Sequence, residues 1–346
     1  MEQPSVDSPY LPSQKVIIGG VQAFIFFSAA GTLLSIWWKR PSNFDEFITG
    51  IEWRRALLLA PMVWLDYWLG GWRYRLFFNG KQLPDISQWD CMRSNWANMF
   101  MGAATPFQTG GGPAQLFILW RKGASVSESL LVSLVNYVAT LVFFLTASIA
   151  AIALLPEDLF GVNFTAVFRS GFALIASVVS VVLVILLFPK TGDKIIRFLI
   201  KLLPVKPAKK QSLLAKAEDE IRRFHEGFNS ILKDNKRGLA LTLLATLLLY
   251  FNKYLIGYVI CLALGQAVPF GIFIGLQIIQ MMLLYFAPTP GASGLAELSS
   301  VWLMGRLMPE SLLVVYSVLQ RLVATVLAAV IGGIVLIQEL RDRQVR

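Results

Sequence analysis

Charged residues, histidine and cysteine are all scarce in this sequence of 346 residues. Charged residues make up 15% of the chain, against roughly 25% in soluble domains. Hydrophobic residues make up 56%, more than a water-soluble fold could bury. We therefore expect an all-α polytopic membrane protein and not a soluble enzyme, because about 20 apolar residues in a helix cross a bilayer core of about 30 Å.

The single histidine and the two cysteines leave few ligands for a metal ion. His225 lies in a polar segment without a cysteine nearby, and Cys91 is far from Cys261 in sequence. Structural zinc sites need a cluster of such ligands, so we expect no metal, no disulfide and no cofactor. The motifs H-E-x-x-H and G-x-S-x-G are absent, and the glycines at 110–112 lack the Gly-Lys-Ser/Thr ending of a phosphate loop. We expect no enzyme activity.

Six apolar segments are long enough to cross a bilayer as unbroken helices. They are Val16–Trp38, Ala56–Trp72, Val126–Leu155, Thr165–Leu187, Leu239–Leu264 and Leu312–Gln338. Two further apolar segments, Asn95–Trp120 and Phe270–Met308, are interrupted by glycine and proline. Because these residues break or bend helices, we predict re-entrant or broken helical hairpins at 89–120 and 270–308.

Basic residues are unevenly distributed, and this predicts the orientation in the membrane. The stretch from Lys190 to Arg237 holds thirteen basic and six acidic residues. Loops rich in Lys and Arg stay in the cytoplasm, so this connector and both termini are expected on the cytoplasmic side of a plasma membrane. Within it, Ser212–Leu232 has the spacing of an amphipathic helix on the membrane or on the transport core. The connector lacks clustered aromatic residues, so we expect no nucleic acid partner.

The two hairpins are predicted to enter from opposite faces. Basic residues lie on both sides of hairpin 89–120, which places its ends in the cytoplasm: Arg73, Arg75, Lys81, Arg121 and Lys122. Hairpin 270–308 lies between a span that runs outward and one that returns, so its ends are expected on the outer side of the membrane. The two apices, Thr105–Gln115 and Ala287–Glu297, align without a gap at an offset of 182 residues. This alignment pairs Pro106 with Pro288, Gly112 with Gly294, Ala114 with Ala296 and Gln115 with Glu297.

This pattern predicts inverted-topology repeats. The predicted division is 1–52, tail and first span; 53–155, first repeat; 156–189, linking span; 190–237, connector; 238–338, second repeat; and 339–346, cytoplasmic tail. Interrupted helices at matching positions of such repeats indicate a transport site at mid-membrane. Plain helix turns without a ligand are the alternative.

Polar and helix-breaking residues supply the candidate site. Broken helices leave backbone groups that lipid cannot satisfy, and helix N-termini favour phosphate or carboxylate. A charge inside a span costs about 2.5 kcal/mol or more, which singles out Asp66 in addition to the residues below, and Glu297 is expected either to pair with Arg321 or to bind substrate. The candidate substrate-binding residues are Pro106, Gln108, Gly110, Gly111, Gly112, Gln115, Asn136, Lys253, Pro288, Pro290, Gly291, Gly294, Glu297 and Arg321.

The two apices resemble those of the lysylphosphatidylglycerol synthase transmembrane family, also called flippase-like domain proteins. The family's Pro-x-x-x-Gly-Gly hairpin, followed by a basic residue and glycine, is similar to Pro106, Gly110, Gly111, Arg121 and Gly123. Its Pro-x-Pro-Gly-x-x-Gly-x-x-Glu motif and its last-helix arginine are similar to Pro288, Pro290, Gly291, Gly294, Glu297 and Arg321. The chain departs from the pattern at Gln115, where members often carry arginine, and at Asn136 and Tyr137, where they carry an acidic residue and arginine.

The resemblance implies a translocase that moves an anionic or zwitterionic lipid, or a lipid-linked saccharide, between leaflets. In the name-giving members this domain moves an aminoacylated phospholipid made by an attached cytoplasmic synthase domain. Only eight residues follow the last predicted span, so we expect no such domain. Two alternatives stay open: a secondary transporter of a small soluble anion, and a subunit that docks a cytoplasmic partner through 190–237.

Overall fold

The computed structural model describes residues 51–156 and 226–341, except Gln82 and Phe286, together with isolated positions within 22–37 and 173–180. Apart from those positions, the predicted spans Val16–Trp38 and Thr165–Leu187, most of the connector and the tail from 342 lie outside the described residues. The described ranges are helical, and their only strand-like feature is a bridge between Asn79 and Asp85.

The first half forms one short helix and four longer ones, and the second and third of the longer helices make a hairpin. A short helix, Trp53–Ala56, leads into α1 (Leu59–Arg75), and α2 (Gln88–Ala104), a turn (Pro106–Gln108), α3 (Gly111–Arg121) and α4 (Val126–Leu154) follow. Helix α4 begins with a capping box, in which Ser125 Oγ accepts the N–H of Glu128 and the Glu128 carboxylate accepts the N–H of Ser125. The cap fixes where the chain turns from the hairpin into the long helix.

The second half repeats this order. It comprises α5 (Lys236–Ala263), α6 (Phe270–Tyr285), a turn (Pro290–Ala292), α7 (Leu295–Met304), α8 (Glu310–Arg321), a π turn (Leu322–Val326) and α9 (Leu327–Arg341). The last three form one continuous helix, which extends three residues past the predicted end at Gln338. Residues 339–341 therefore continue this helix.

Several described helices have the length and composition of membrane spans. Val126–Ala151, Lys236–Ala263 and Glu310–Arg341 are long and apolar enough to cross a bilayer. Large apolar side chains also lie on the outside of α9, at Leu327, Val330, Ile334 and Ile337. These positions recur at helical spacing and form one stripe, which suits contact with lipid. The chain is an α-helical membrane protein.

Helices α1 and α5 pack against each other in opposite directions. The N–H of Glu52 donates to the carbonyl of Ala263 at 2.8 Å, whereas the amide of Asn252 donates to the carbonyl of Met62 at 2.9 Å. As residue numbers rise from Glu52 into α1, the residue numbers of the partners in α5 therefore decrease. The first helices of the two halves are antiparallel.

Each hairpin packs on the last helix of the other half: α2 lies on α9, and α6 lies on α4. The closest approach is at Gly332 of α9, where a Cβ atom would lie 2.0 Å from the carbonyl oxygen of Trp96 in α2. Small residues let helix backbones meet in this way in membrane proteins. The two halves are thus interleaved and do not form two separate bundles.

A buried carboxylate fixes the end of α9 to the first hairpin. Glu339 lies 2.9 Å from Nη2 of Arg93, 3.4 Å from Nε of Arg121 and 3.6 Å from Nζ of Lys122. Its carbonyl oxygen also accepts a hydrogen bond from Arg121. A buried charge is tolerated when it is paired, so this cluster connects α9 to both helices of the hairpin.

Candidate functional site

A cavity of about 340 Å³ lies where the two halves meet. Its walls come from α1, α2, α5, α6, α8 and the π turn, and both hairpin turns reach it. Gln108 contributes from the first turn, and Gly291 and Ala292 contribute from the second. The two turns also contact each other. The apices of the interrupted segments therefore share one cavity.

The two turns have the same backbone conformation. Phe107 has φ 51° and ψ 19°, and Gly291 has φ 55° and ψ 26°. The next residues, Gln108 and Ala292, have φ 57° and 56°. Positive φ is uncommon for residues with a side chain, and here it occurs at three such positions. Strain of this kind clusters at ligand sites and switch regions.

This match corrects the alignment of the two apices. Pro106 and Pro290 each follow an extended threonine and precede the positive-φ residues, which gives an offset of 184. Gly110 and Gly294 then both precede the second helix of their hairpin. The predicted pairing of Pro106 with Pro288 is wrong by two residues, because the Pro-Thr-Pro sequence offers two prolines and the ungapped alignment used the first.

The N–H groups of the two cap glycines are already bonded within the protein. The N–H of Gly110 donates to Oγ1 of Thr105 at 2.8 Å, and the N–H of Gly294 donates to Oε2 of Glu297 at 2.7 Å. Glu297 is 1% exposed and serves the helix start. We had expected helix N-termini to face the substrate, but these two N–H groups are not free for it.

Arg321 holds the second turn in place. Its Nη2 donates to the carbonyl of Gly291 at 2.6 Å and to Oγ of Ser293 at 2.7 Å, and its Nε lies 3.3 Å from Oε1 of Glu297. Arg321 also lines the cavity, directly before the π turn. Turns of this kind are frequent at functional sites. One arginine thus links the cavity wall to the tip of the hairpin.

An ion pair joins α1 and α5 at the cavity. Nζ of Lys253 lies 2.8 Å from Oδ2 of Asp66, and both residues line the cavity. Oδ1 of Asp66 is buried without a hydrogen-bond partner among the described residues. The pair lies where the antiparallel first helices cross.

Arg73 is buried in the site, although the charge pattern groups it with the basic residues beside the first hairpin. It is 8% exposed and lines the cavity. Its Nη2 donates to the carbonyl of Asn136 and to Oγ1 of Thr140. Asp66, Gly70 and Arg73 lie on one face of α1 because they are spaced at i, i+4 and i+7. This spacing is the feature of the sequence that could have placed Arg73 in the site together with Asp66.

The comparison with known proteins agrees with this architecture. The family described as Lysylphosphatidylglycerol synthase TM region matches residues 20–332. The chain belongs to this family. It is also similar to a UPF0104 membrane protein of Archaeoglobus fulgidus, with 27% identity over 274 residues that cover 77% of this chain and 81% of the relative. The match covers the membrane region alone and supports a membrane-lipid-related function.

In this family member, only some of the candidate residues reach the cavity. Gln108, Lys253, Gly291 and Arg321 line it. Gln115 instead accepts hydrogen bonds from the hydroxyl of Tyr74 at 3.0 Å and the amide of Asn98 at 2.7 Å. The remaining candidates do not line it and lie in the turns, at helix starts or behind Arg73: Pro106, Gly110, Gly111, Gly112, Asn136, Pro288, Pro290, Gly294 and Glu297.

A wall of neutral amides was not predicted. Nε2 of Gln320 donates to Oε1 of Gln277 at 2.9 Å, and Nε2 of Gln277 donates to the hydroxyl of Tyr316 at 2.8 Å. Gln280 lies beside Gln277 on the same face of α6, and all three glutamines line the cavity. Single amides in apolar helices usually bond between helices, so only the i, i+3 spacing of the pair in α6 pointed to a shared polar face.

Gly31 occupies a helical position and lies close to the start of α7. A Cβ atom on Gly31 would lie 2.8 Å from Cα of Gly294 and 3.3 Å from Oε2 of Glu297. Gly31 belongs to the first predicted span. Gly31 therefore contacts the residues that begin the second helix of this hairpin and is not among the residues that line the cavity.

Proposed function

We propose that this chain is a lipid translocase that moves a lipid head group between leaflets of the plasma membrane through the cavity. The observation that carries the proposal is the joint lining of one cavity by both hairpin turns, through Gln108 and Gly291. Charged and amide groups share the walls with apolar side chains such as Val63 and Leu284. A polar pocket with apolar walls suits a lipid head group with its chains in the bilayer.

The proposal includes inverted repeats, with six full spans, hairpins that enter from opposite faces and cytoplasmic termini. Two relationships support it. Helices α1 and α5 hold the same place in the two halves and run antiparallel, and the pairs α2 with α9 and α4 with α6 correspond to each other. A two-fold axis in the membrane plane produces this pattern. Rocking of one half against the other would open the cavity to each face in turn.

In this mechanism the residues of the cavity bind and release but carry out no chemical reaction. Arg321 contacts the second turn and the cavity, so movement of that turn changes the position of its guanidinium. The ion pair of Asp66 and Lys253 joins the two halves at the wall of the same cavity. We propose that the partners are lipids with an anionic or zwitterionic head group. Lipid translocation would not require docking of a cytoplasmic protein.

Reconstitution into vesicles tests the proposal. Head-group-labelled phospholipids are followed between leaflets in protein-free vesicles and in vesicles with the native chain, Arg321→Ala or Arg54→Ala, at equal protein content. Arg54 is exposed and outside the cavity, so its variant is the matched control. We expect movement with the native chain and the control, and a loss with Arg321→Ala. Native rates no faster than those of protein-free vesicles, across several head groups, would contradict the proposal.

A further inference from the structure

We infer that the cavity selects a head group with one negatively charged phosphodiester and neutral hydroxyl groups, and that Arg73 binds the phosphodiester. The inference rests on the proposed function, which it narrows to one class of substrate. It also separates this chain from a transporter of a lysyl-bearing lipid, which the name of the family would suggest.

The charges at the cavity do not balance. Three cations line it, Arg73, Lys253 and Arg321. Asp66 pairs with Lys253 at 2.8 Å, and Glu297 pairs with Arg321 at 3.3 Å. Within the described part of the chain, no carboxylate pairs with Arg73. Among the described residues, the site therefore carries one positive charge without a paired carboxylate, which matches a monoanion.

Arg73 is held in position and, in the described part of the chain, still has an unbonded donor. Nη2 is fixed by the carbonyl of Asn136 and by Oγ1 of Thr140. Nε is buried and has no hydrogen-bond partner among the described residues. An unpaired charge in the membrane is costly and indicates a partner. A guanidinium fork fits two phosphate oxygens, which makes a phosphodiester the suitable partner.

The rest of the polar wall suits hydroxyl groups and not an ammonium group. Gln277, Gln280 and Gln320 offer amide donors and acceptors, and Ser317 adds a hydroxyl. The carboxylates of Asp66 and Glu297 each already pair with a cation. An added lysyl group would bring positive charge into a site that is already positive. Glycerol or sugar hydroxyls meet no such repulsion.

Binding in detergent tests this selectivity separately from transport. The probes are dioctanoyl phosphatidylglycerol, its lysyl ester and the soluble glycerophosphoglycerol, and the readouts are affinity and the shift in thermal midpoint. We expect the native chain to prefer phosphatidylglycerol to the lysyl ester. Arg73→Gln should weaken that binding by about tenfold to a hundredfold, the value of a hydrogen bond to a charged group. Arg54→Gln, an exposed arginine, should leave it unchanged.

The outcomes separate this inference from the proposed function. Binding that depends on Arg73, without movement between leaflets, supports the inference and contradicts the translocase. Movement that is equal for both lipids and unaffected by Arg73→Gln overturns the inference and leaves the translocase. If soluble glycerophosphoglycerol binds as tightly as dioctanoyl phosphatidylglycerol, the conclusion that the phosphodiester belongs to a lipid is overturned. If Arg73→Gln does not fold, the head-group preference of the native chain decides the question, and equal affinity for phosphatidylglycerol and its lysyl ester overturns the inference.

Discussion

Nζ of Lys253 lies 2.8 Å from Oδ2 of Asp66, and this contact joins the first helices of the two halves. The carboxylate side chain is 8% exposed and the lysine side chain 22%. Because charges are expensive to bury, such a pair adds little net stability, but the loss of one partner leaves the other charge unpaired. The pair therefore favours one relative position of α1 and α5.

Removal of the acid alone should destabilise the protein. We expect Asp66→Asn to lower the free energy of unfolding by about 2–4 kcal/mol, since Lys253 is left without its carboxylate. The double variant Asp66→Asn with Lys253→Met should recover most of that loss. Thermal unfolding in detergent measures both. A native-like midpoint for Asp66→Asn alone would contradict the role of the pair.

The two functions of the Glu297 carboxylate can be separated by a substitution series. Glu297→Gln keeps an acceptor for the N–H of Gly294 but removes the charge opposite Arg321, and we expect a loss of about 3–5 kcal/mol. Glu297→Ala removes both and should cost about 1 kcal/mol more. Glu226→Gln, at an exposed position, is the control. Equal stability of the Gln and Ala variants would show that the cap contributes nothing.

The helix crossing at Gly332 should not accept a side chain. A Cβ atom there meets the carbonyl oxygen of Trp96 at 2.0 Å, whereas one on Gly333 meets only the ring of Phe100 at 3.3 Å. Overpacking costs about 1–3 kcal/mol, so Gly332→Ala should lower the unfolding midpoint and Gly333→Ala should change it little. The reverse order, or equal effects, would contradict the packing of α9 on α2.

The hairpins could be expected from the sequence because their signals are local. Proline and glycine mark the breaks, and the structure has turns at Pro106–Gln108 and Pro290–Ala292. The register between them could not be read correctly, since two prolines two residues apart fit equally well and only the φ values of Phe107 and Gly291 decide.

The composition of the cavity was harder to predict because it depends on tertiary packing. Lys253 and Arg321 stand out as charges in apolar segments, but Arg73 lies near a basic loop and was assigned to it. Gln320 and Gln277 meet across two helices that are far apart in sequence. The packing of α2 on α9 and of α6 on α4, which brings residues of both halves to one cavity, leaves no local pattern in the sequence.

The most direct test of lipid passage through the cavity is to fill it. Ala324 lines the cavity from the π turn and is exposed, so Ala324→Trp should obstruct the cavity without displacing the core. Val330 is 56% exposed, on the apolar stripe of α9, and Val330→Trp is the matched control. Translocation of labelled phosphatidylglycerol is measured for both variants and the native chain, at equal reconstitution. The account predicts movement with the native chain and Val330→Trp and a block with Ala324→Trp; a native rate in Ala324→Trp would contradict it.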